Sequence, residues 1–285
     1  VDDFKMAGKA ENLDIAWKML EKFIEFDAPT PFGEYLGCSQ LDFQVDFDIL
    51  ADHRQTYNEI FKGGAEVQHV TAHPDGPLVL FRRGETSDTH VHTTISNSSR
   101  SNSRGETSVK SYGYLMRGFA MQCVERYCEL ANISMSTLKY VATPNIDDHD
   151  IDPALCTTKG ALDAVAAQIV CNIAFLARVY RYDILFTTNQ LAREITNWTE
   201  ACDKRLHRLV CYIYHHPDLT SLTFVGDNPE DCQIVMYSDA DHAGDLATSK
   251  STSGVFVALV GPNTFVALAG VCKETIVCFT FFHRI

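Results

Sequence analysis

Apolar residues recur at helical spacing first between Glu11 and Phe26. Leu13, Ala16, Trp17, Leu20, Phe23 and Ile24 form one stripe, which predicts a helix that Pro29 and Pro31 stop. Gly33 to Cys38 reads as a turn into a short strand. Val1 to Gly8 reads as a hairpin tip and its return strand. Strand, helix, strand is the order of an α+β layer. Leu41 to Arg83 has no clear period. From Gly84 to Ser111 the chain is rich in Ser, Thr, Asn and Arg, and the pattern predicts a disordered loop. Arg-Gly-Glu-Thr-Ser occurs there twice, at 83–87 and 104–108, as a duplication too short and polar to stack. Phe119 to Ala131 is a second helix, with Cys123, Val124, Tyr127 and Leu130 on one face. Acidic Pro144 to Pro153 is a connector. Helices follow at about 161–180 and 198–215, then strands at 234–237, 254–260 and 264–268. A boundary is expected near Asp227–Asp231, between a helical region and a β-rich module.

Composition bounds this picture. The 285 residues are 46% hydrophobic and 21% charged, enough for one large core or two ordinary ones. The net charge of −13 opposes a surface that is basic all round. It still permits a local basic groove for a polyanion. Ten cysteines occur without a CxxC pair and mostly among apolar neighbours. That is the usage of reduced thiols in a cytoplasmic or nuclear protein. The most apolar stretch, 161–179, contains Asp163, Gln168, Asn172 and Arg178, and so reads as a buried helix rather than a membrane span. No signal-peptide pattern is present.

Three clusters carry candidate chemistry. Asp2-Asp3 is a carboxylate pair on a predicted tight turn, where two divalent cations could be held; taken alone, such a pair reads as a solvated acidic turn. Tyr237-Ser238-Asp239-Ala240-Asp241 continues to Asp245 and follows a predicted strand, so Asp239 falls at a strand end. An EF-hand is excluded, because the twelfth position of that loop is Lys250. Lys204, Arg205, His207 and Arg208 cluster on the helix around Leu206 and Leu209. Taken alone they read as the solvated face of a surface helix, with a phosphate-facing surface as the alternative. His90-His92 and His215-His216 are ordinary surface histidines unless a metal joins them. No Ser-His-Asp order and no phosphate-cradling glycine loop is present.

Taken together, the motifs resemble one family, the copia-type retrotransposon polyproteins. Val1-Asp2-Asp3 followed by Phe4 to Gly8 is similar to the Tyr-Val-Asp-Asp hairpin of their reverse transcriptase. Gly33 to Cys38 resembles the next palm strand. Arg181-Tyr182-Asp183-Ile184 resembles the Arg-Pro-Asp-Ile segment after the family's connector helix, and Trp198 to Tyr212 resembles the helix that follows it. Tyr237 to Asp241 with Ala243-Gly244-Asp245, then Ser249-Lys250-Ser251-Thr252-Ser253-Gly254, is the most specific match. It resembles the opening of the RNase H domain. The likeness covers most of residues 1–38 and about 114–275.

The resemblance implies an α+β fold. It comprises a partial reverse-transcriptase palm over 1–83, a loop over 84–112, a helical thumb or connection region over 113–230, and an incomplete RNase H-like mixed sheet over 231–285. It implies Asp2, Asp3 and Asp239 as catalytic Mg²⁺ ligands, and Lys204, Arg205 and Arg208 as contacts to an RNA/DNA template-primer. It also implies an intracellular setting and no membrane. The chain departs from the family at Cys272-Lys273-Glu274-Thr275 and the apolar tail after it. The family's other polymerase aspartate and its RNase H glutamate have no counterpart here. The expectation is a fragment that is inactive alone. A non-catalytic nucleic-acid-binding remnant and an unrelated metal-binding protein are the alternatives.

Overall fold

Leu36 and Gly37 both adopt positive φ, 52° and 72°, and reverse the chain between β1 (Glu34–Tyr35) and β2 (Cys38–Gln44). The computed structural model describes residues 4–27, 33–61, 109–240 and 251–275. After β2 the Asp46 carboxylate accepts the Asp48 amide at 3.1 Å, as an N-terminal cap does, and α2 (Phe47–Phe61) begins. Leu50, His53 and Tyr57 are the buried residues of α2 and lie on one stripe. They pack on Phe224, Phe265, Ala258 and Val260 of the sheet.

β3 (Lys110–Leu115) leads through Met116 into α3 (Arg117–Ala131). Asn132, left-handed at φ 52°, ends α3 by donating its amide to Cys128 and Glu129 carbonyls. α4 (Ala166–Val179), α5 (Leu185–Arg193) and α6 (Glu200–His215) follow. Val124, Ile169, Ile173, Leu176, Leu206, Leu209 and Ile213 are fully buried in the core that these helices share. Each such side chain contributes about 1.5–3 kcal/mol by leaving water.

Two polar fasteners hold this helical core. The Asp203 carboxylate accepts the Ala161 and Leu162 amides and the Trp198 indole N–H. Arg181, almost fully buried, donates two parallel 2.8 Å bonds to Asp183 and a third bond to the His216 carbonyl. Its guanidinium also lies over the Tyr212 ring. The Arg-x-Asp spacing therefore makes a closed internal pair, with every charge partnered.

β4 (Ser221–Val225), β5 (Gln233–Ala240), β6 (Ser251–Gly261) and β7 (Thr264–Thr275) complete a seven-stranded sheet of order β1-β2-β3-β4-β7-β6-β5. Every described ladder is antiparallel, where a mixed sheet was expected. Short hairpins and long helical excursions both return the chain antiparallel here, so no crossover to a parallel neighbour arises. The joint between β4 and β7 is narrow, with two residue pairs, Phe224 with Phe265 and Val225 with Thr264. The sheet nonetheless runs across the boundary expected near 227–231.

Other expectations shift. The first helix, α1, spans Ala10–Leu20 and does not reach Phe26. None of its residues is buried, and Phe23 beyond it is 84% exposed, so its apolar stripe lacks the packing that would extend it. Residues 4–8 form no strand. Lys110 and Ser111, assigned to the loop, pair in β3 with β2 and β4. The rest of that expected loop, from Gly84 to Ser108, lies outside the described residues.

Candidate functional site

Asp239 occupies the penultimate position of β5 and faces Gly254 of β6, which in turn faces Cys272 of β7. The three positions form one row across the sheet. Gly254 has no side chain, and a Cβ built there would meet no atom nearer than the Asp239 carbonyl, 3.9 Å away. An exposed carboxylate thus stands beside an open floor at a strand end. One Asp239 oxygen accepts the Ala240 amide at 2.9 Å, and this fixes the side chain against its own backbone. Asp239 could supply one hard oxygen ligand to a divalent cation. Asp2, Asp3, Asp241 and Asp245 lie outside the described residues. Among the described residues no group of three His, Cys, Asp or Glu side chains is placed to hold a metal.

The basic face of α6 is mostly committed inward. Arg205 donates to Asp148 at 2.7 Å, and Arg208 donates to the Thr143 carbonyl at 3.1 Å and to its hydroxyl at 2.8 Å. The acidic connector therefore lies against the helix, and two of the three proposed phosphate contacts hold it there. Lys204 is the exposed cation of the three. His215 and His216 donate through Nε2 to the Leu138 and Val141 carbonyls, at 3.1 and 3.2 Å. Those two rings clasp Tyr140 rather than a metal. His90 and His92 lie outside the described residues.

The structure also brings together groups that the sequence left apart. His207 sits between the Tyr127 hydroxyl, 2.9 Å from Nδ1, and the Cys211 thiol, 3.5 Å from Nε2. Burial lowers the His207 pKa below its ordinary 6.5 and raises those of Tyr127 and Cys211. All three groups are thereby held neutral at neutral pH. The line is a satisfied hydrogen-bond chain, without the thiolate that nucleophilic catalysis needs.

A cleft of about 390 Å³ opens between α5 and the paired ends of β6 and β7. Asn189 fastens its wall by donating to the Cys272 carbonyl at 3.1 Å. Gln190 and Arg193 line the helical side, and Thr252 and Lys273 the sheet side. Cys272 is both a lining residue and the third member of the row that starts at Asp239. Only the fold joins these residues; no local spacing announces them. A second cleft, of about 280 Å³, lies between the β1–β2 turn and the start of α3, with Glu34, Ser39, Arg117 and Gln122 among its lining.

No described helix is long and apolar enough to cross a membrane. No protein-family model, curated protein or solved structure matches the chain.

Proposed function

We propose that this chain is part of a copia-type reverse transcriptase–RNase H polyprotein, and that Asp239 is an RNase H metal ligand. The observation that carries the reading is register. The two most specific motif segments, Tyr237–Ala240 and Ser251–Gly254, lie on neighbouring strands, with Asp239 opposite Gly254 and Ala240 opposite Ser253. Asp239 and the open floor beside it would present a carboxylate to Mg²⁺ on an RNA–DNA hybrid. Asp2 and Asp3 would serve the polymerase hairpin in the same reading, and the partner would be a template-primer.

Two-metal phosphoryl chemistry needs several carboxylates at once to offset two divalent charges. Asp239 stands without two further ligand-type side chains beside it among the described residues. The sequence departs from the family at Cys272-Lys273-Glu274-Thr275, where the family's next RNase H strand would lie, and the proposal is of a chain that turns over neither substrate alone. With Mg²⁺, the purified chain is expected to show neither primer extension nor cleavage of an RNA–DNA hybrid; either activity would overturn that part. The ligand assignment is tested with Mn²⁺ as a paramagnetic probe. Broadening of NMR signals centred on residues 237–240, lost in Asp239→Asn, is expected. Broadening elsewhere only, or none, would remove Asp239 from the site.

A further inference from the structure

α1 buries none of its residues, and it has two apolar sides rather than one. Leu13, Trp17 and Leu20 are half-buried on the first side. There the Trp17 and Phe26 ring centroids lie 5.3 Å apart, and those of Phe26 and Phe4 lie 6.2 Å apart. Ile15, Met19 and Phe23 form the second side. They repeat every four residues, which makes a single ridge on a helix. Their exposures are 60%, 59% and 84%. The winding continues to Phe23 because Glu21 stays helical, and the Phe23 and Ile24 amides both donate to the Leu20 carbonyl, at 2.9 and 3.0 Å. A row of large apolar side chains left in water marks a contact surface.

The charges beside the ridge identify what covers it. Glu11 heads the ridge, and Asp14, Lys18 and Lys22 form the adjoining one. All four are exposed, and none enters an ion pair among the described residues. The acidic pair lies in the first half and the basic pair in the second. A second copy laid antiparallel sets each acidic half on a basic half, whereas a parallel copy opposes like charges. The pattern is self-complementary about a twofold axis, which is the geometry of an isologous contact.

We propose that α1 is a homodimerisation element. Two copies pair antiparallel through Ile15, Met19 and Phe23, with Glu11 and Asp14 of one copy facing Lys22 and Lys18 of the other. Two helices this short cover less than the roughly 1,200 Å² of a stable complex, so the dimer is a transient one. The proposal stands independently of the polyprotein reading.

The test is sedimentation velocity of the full chain over a concentration series, paired with zero-length carbodiimide cross-linking read by mass spectrometry. A dimer fraction that grows with concentration is expected. Glu11 and Lys22 stand about 16 Å apart along one helix at 1.5 Å per residue, so a zero-length link between them forms only between copies. That link should appear in the dimer. Ile15→Asp with Met19→Asp should weaken dimerisation about tenfold or more, and both side chains are exposed, so the fold should tolerate the change. A Glu11→Lys, Asp14→Lys variant and a Lys18→Glu, Lys22→Glu variant should each be monomeric alone and should pair when mixed. A monomer at every concentration would overturn the proposal, as would a dimer indifferent to the Ile15 and Met19 changes. A dimer without the Glu11–Lys22 link, or mixed variants that stay apart, would overturn the antiparallel arrangement. Binding to phosphatidylcholine vesicles without dimerisation, lost in the Ile15→Asp, Met19→Asp variant, would assign the ridge to lipid instead.

Discussion

At the scale of single residues, Arg181 carries the largest expected effect. It and Asp183 are both shielded from water, and the guanidinium closes three hydrogen bonds. Arg181→Ala leaves Asp183 without its counter-charge, and a loss of about 3–5 kcal/mol in urea unfolding is expected. Arg181→Lys should recover little, because an ammonium cannot reproduce the planar fork. Glycines give a paired contrast. A Cβ at Gly160 would lie 2.5 Å from the Thr199 carbonyl oxygen, a backbone atom held by the bridge between Lys159 and Thr199. Gly160→Ala should cost about 1–3 kcal/mol. Gly118, in the first turn of α3, has nothing within 4 Å, and Gly118→Ala should stabilise by about 0.4–1 kcal/mol. Thermal melts of the two variants separate these signs. Acid sensitivity also begins at single residues. Burial lowers the pKa of His53 and of His207 below 6.5, and His53 donates through Nε2 to the Gly261 carbonyl. The unfolded chain then takes up protons first as pH falls. The stability from these neutral rings is fully present above about pH 6.5 and is lost as pH drops toward their folded pKa values. The melting temperature should fall between pH 7.5 and 5.5, and a His53→Gln, His207→Gln variant should show a shallower slope.

Elements differ in how openly the sequence announces them. α3 and α6 were legible because their apolar stripes face a core that exists; Cys123, Val124, Tyr127, Leu206 and Leu209 are all buried. The stripe of α1 is as regular, yet Leu13, Ala16, Trp17 and Leu20 are only half-buried. Period reports amphipathicity and says nothing of whether a partner surface arrives. α2 was illegible for the opposite reason. Leu50, His53 and Tyr57 include a histidine that becomes core only because Gly261 offers its carbonyl and Phe224 its ring edge. The strand motif around Asp239 could be read, because its alternation and its paired Ser-Thr-Ser-Gly segment are local. The phosphate-facing role of α6 rested on charge type alone, and the acidic connector that engages Arg205 and Arg208 became visible only in space. Arg205→Ala should release that connector. Hydrogen exchange over residues 143–150 should accelerate, with a stability loss of about 1.5–3 kcal/mol for a charge-assisted bond that is mostly shielded.

For the whole molecule, the β5–β6–β7 meander has two unlike faces. Register places Phe256, Ala258, Val260, Ala267 and Gly270 on one face, and α2 and Tyr182 pack there. The opposite face carries Ile234 and Val271, 49% and 52% exposed, without a described cover. Net charge keeps such a surface dispersed at low salt, and screening removes that protection. Light scattering should therefore show association that grows with salt, and an Ile234→Thr, Val271→Thr variant should suppress it. The narrow β4–β7 joint bears on how the chain reaches this state. On one side, β5, β6 and β7 are successive in the chain and can zip by short-range closure. On the other, β3 must wait for β4 until the whole helical region between them has been threaded, as the pairing of Lys110 with Val225 requires. Nearby contacts close quickly and distant ones slowly. The meander is then the early-forming half and β1–β4 the late one. During synthesis the late half emerges first from the ribosome, and α2 waits for Ala258, Val260 and Phe265 of the meander to cover Leu50 and Tyr57.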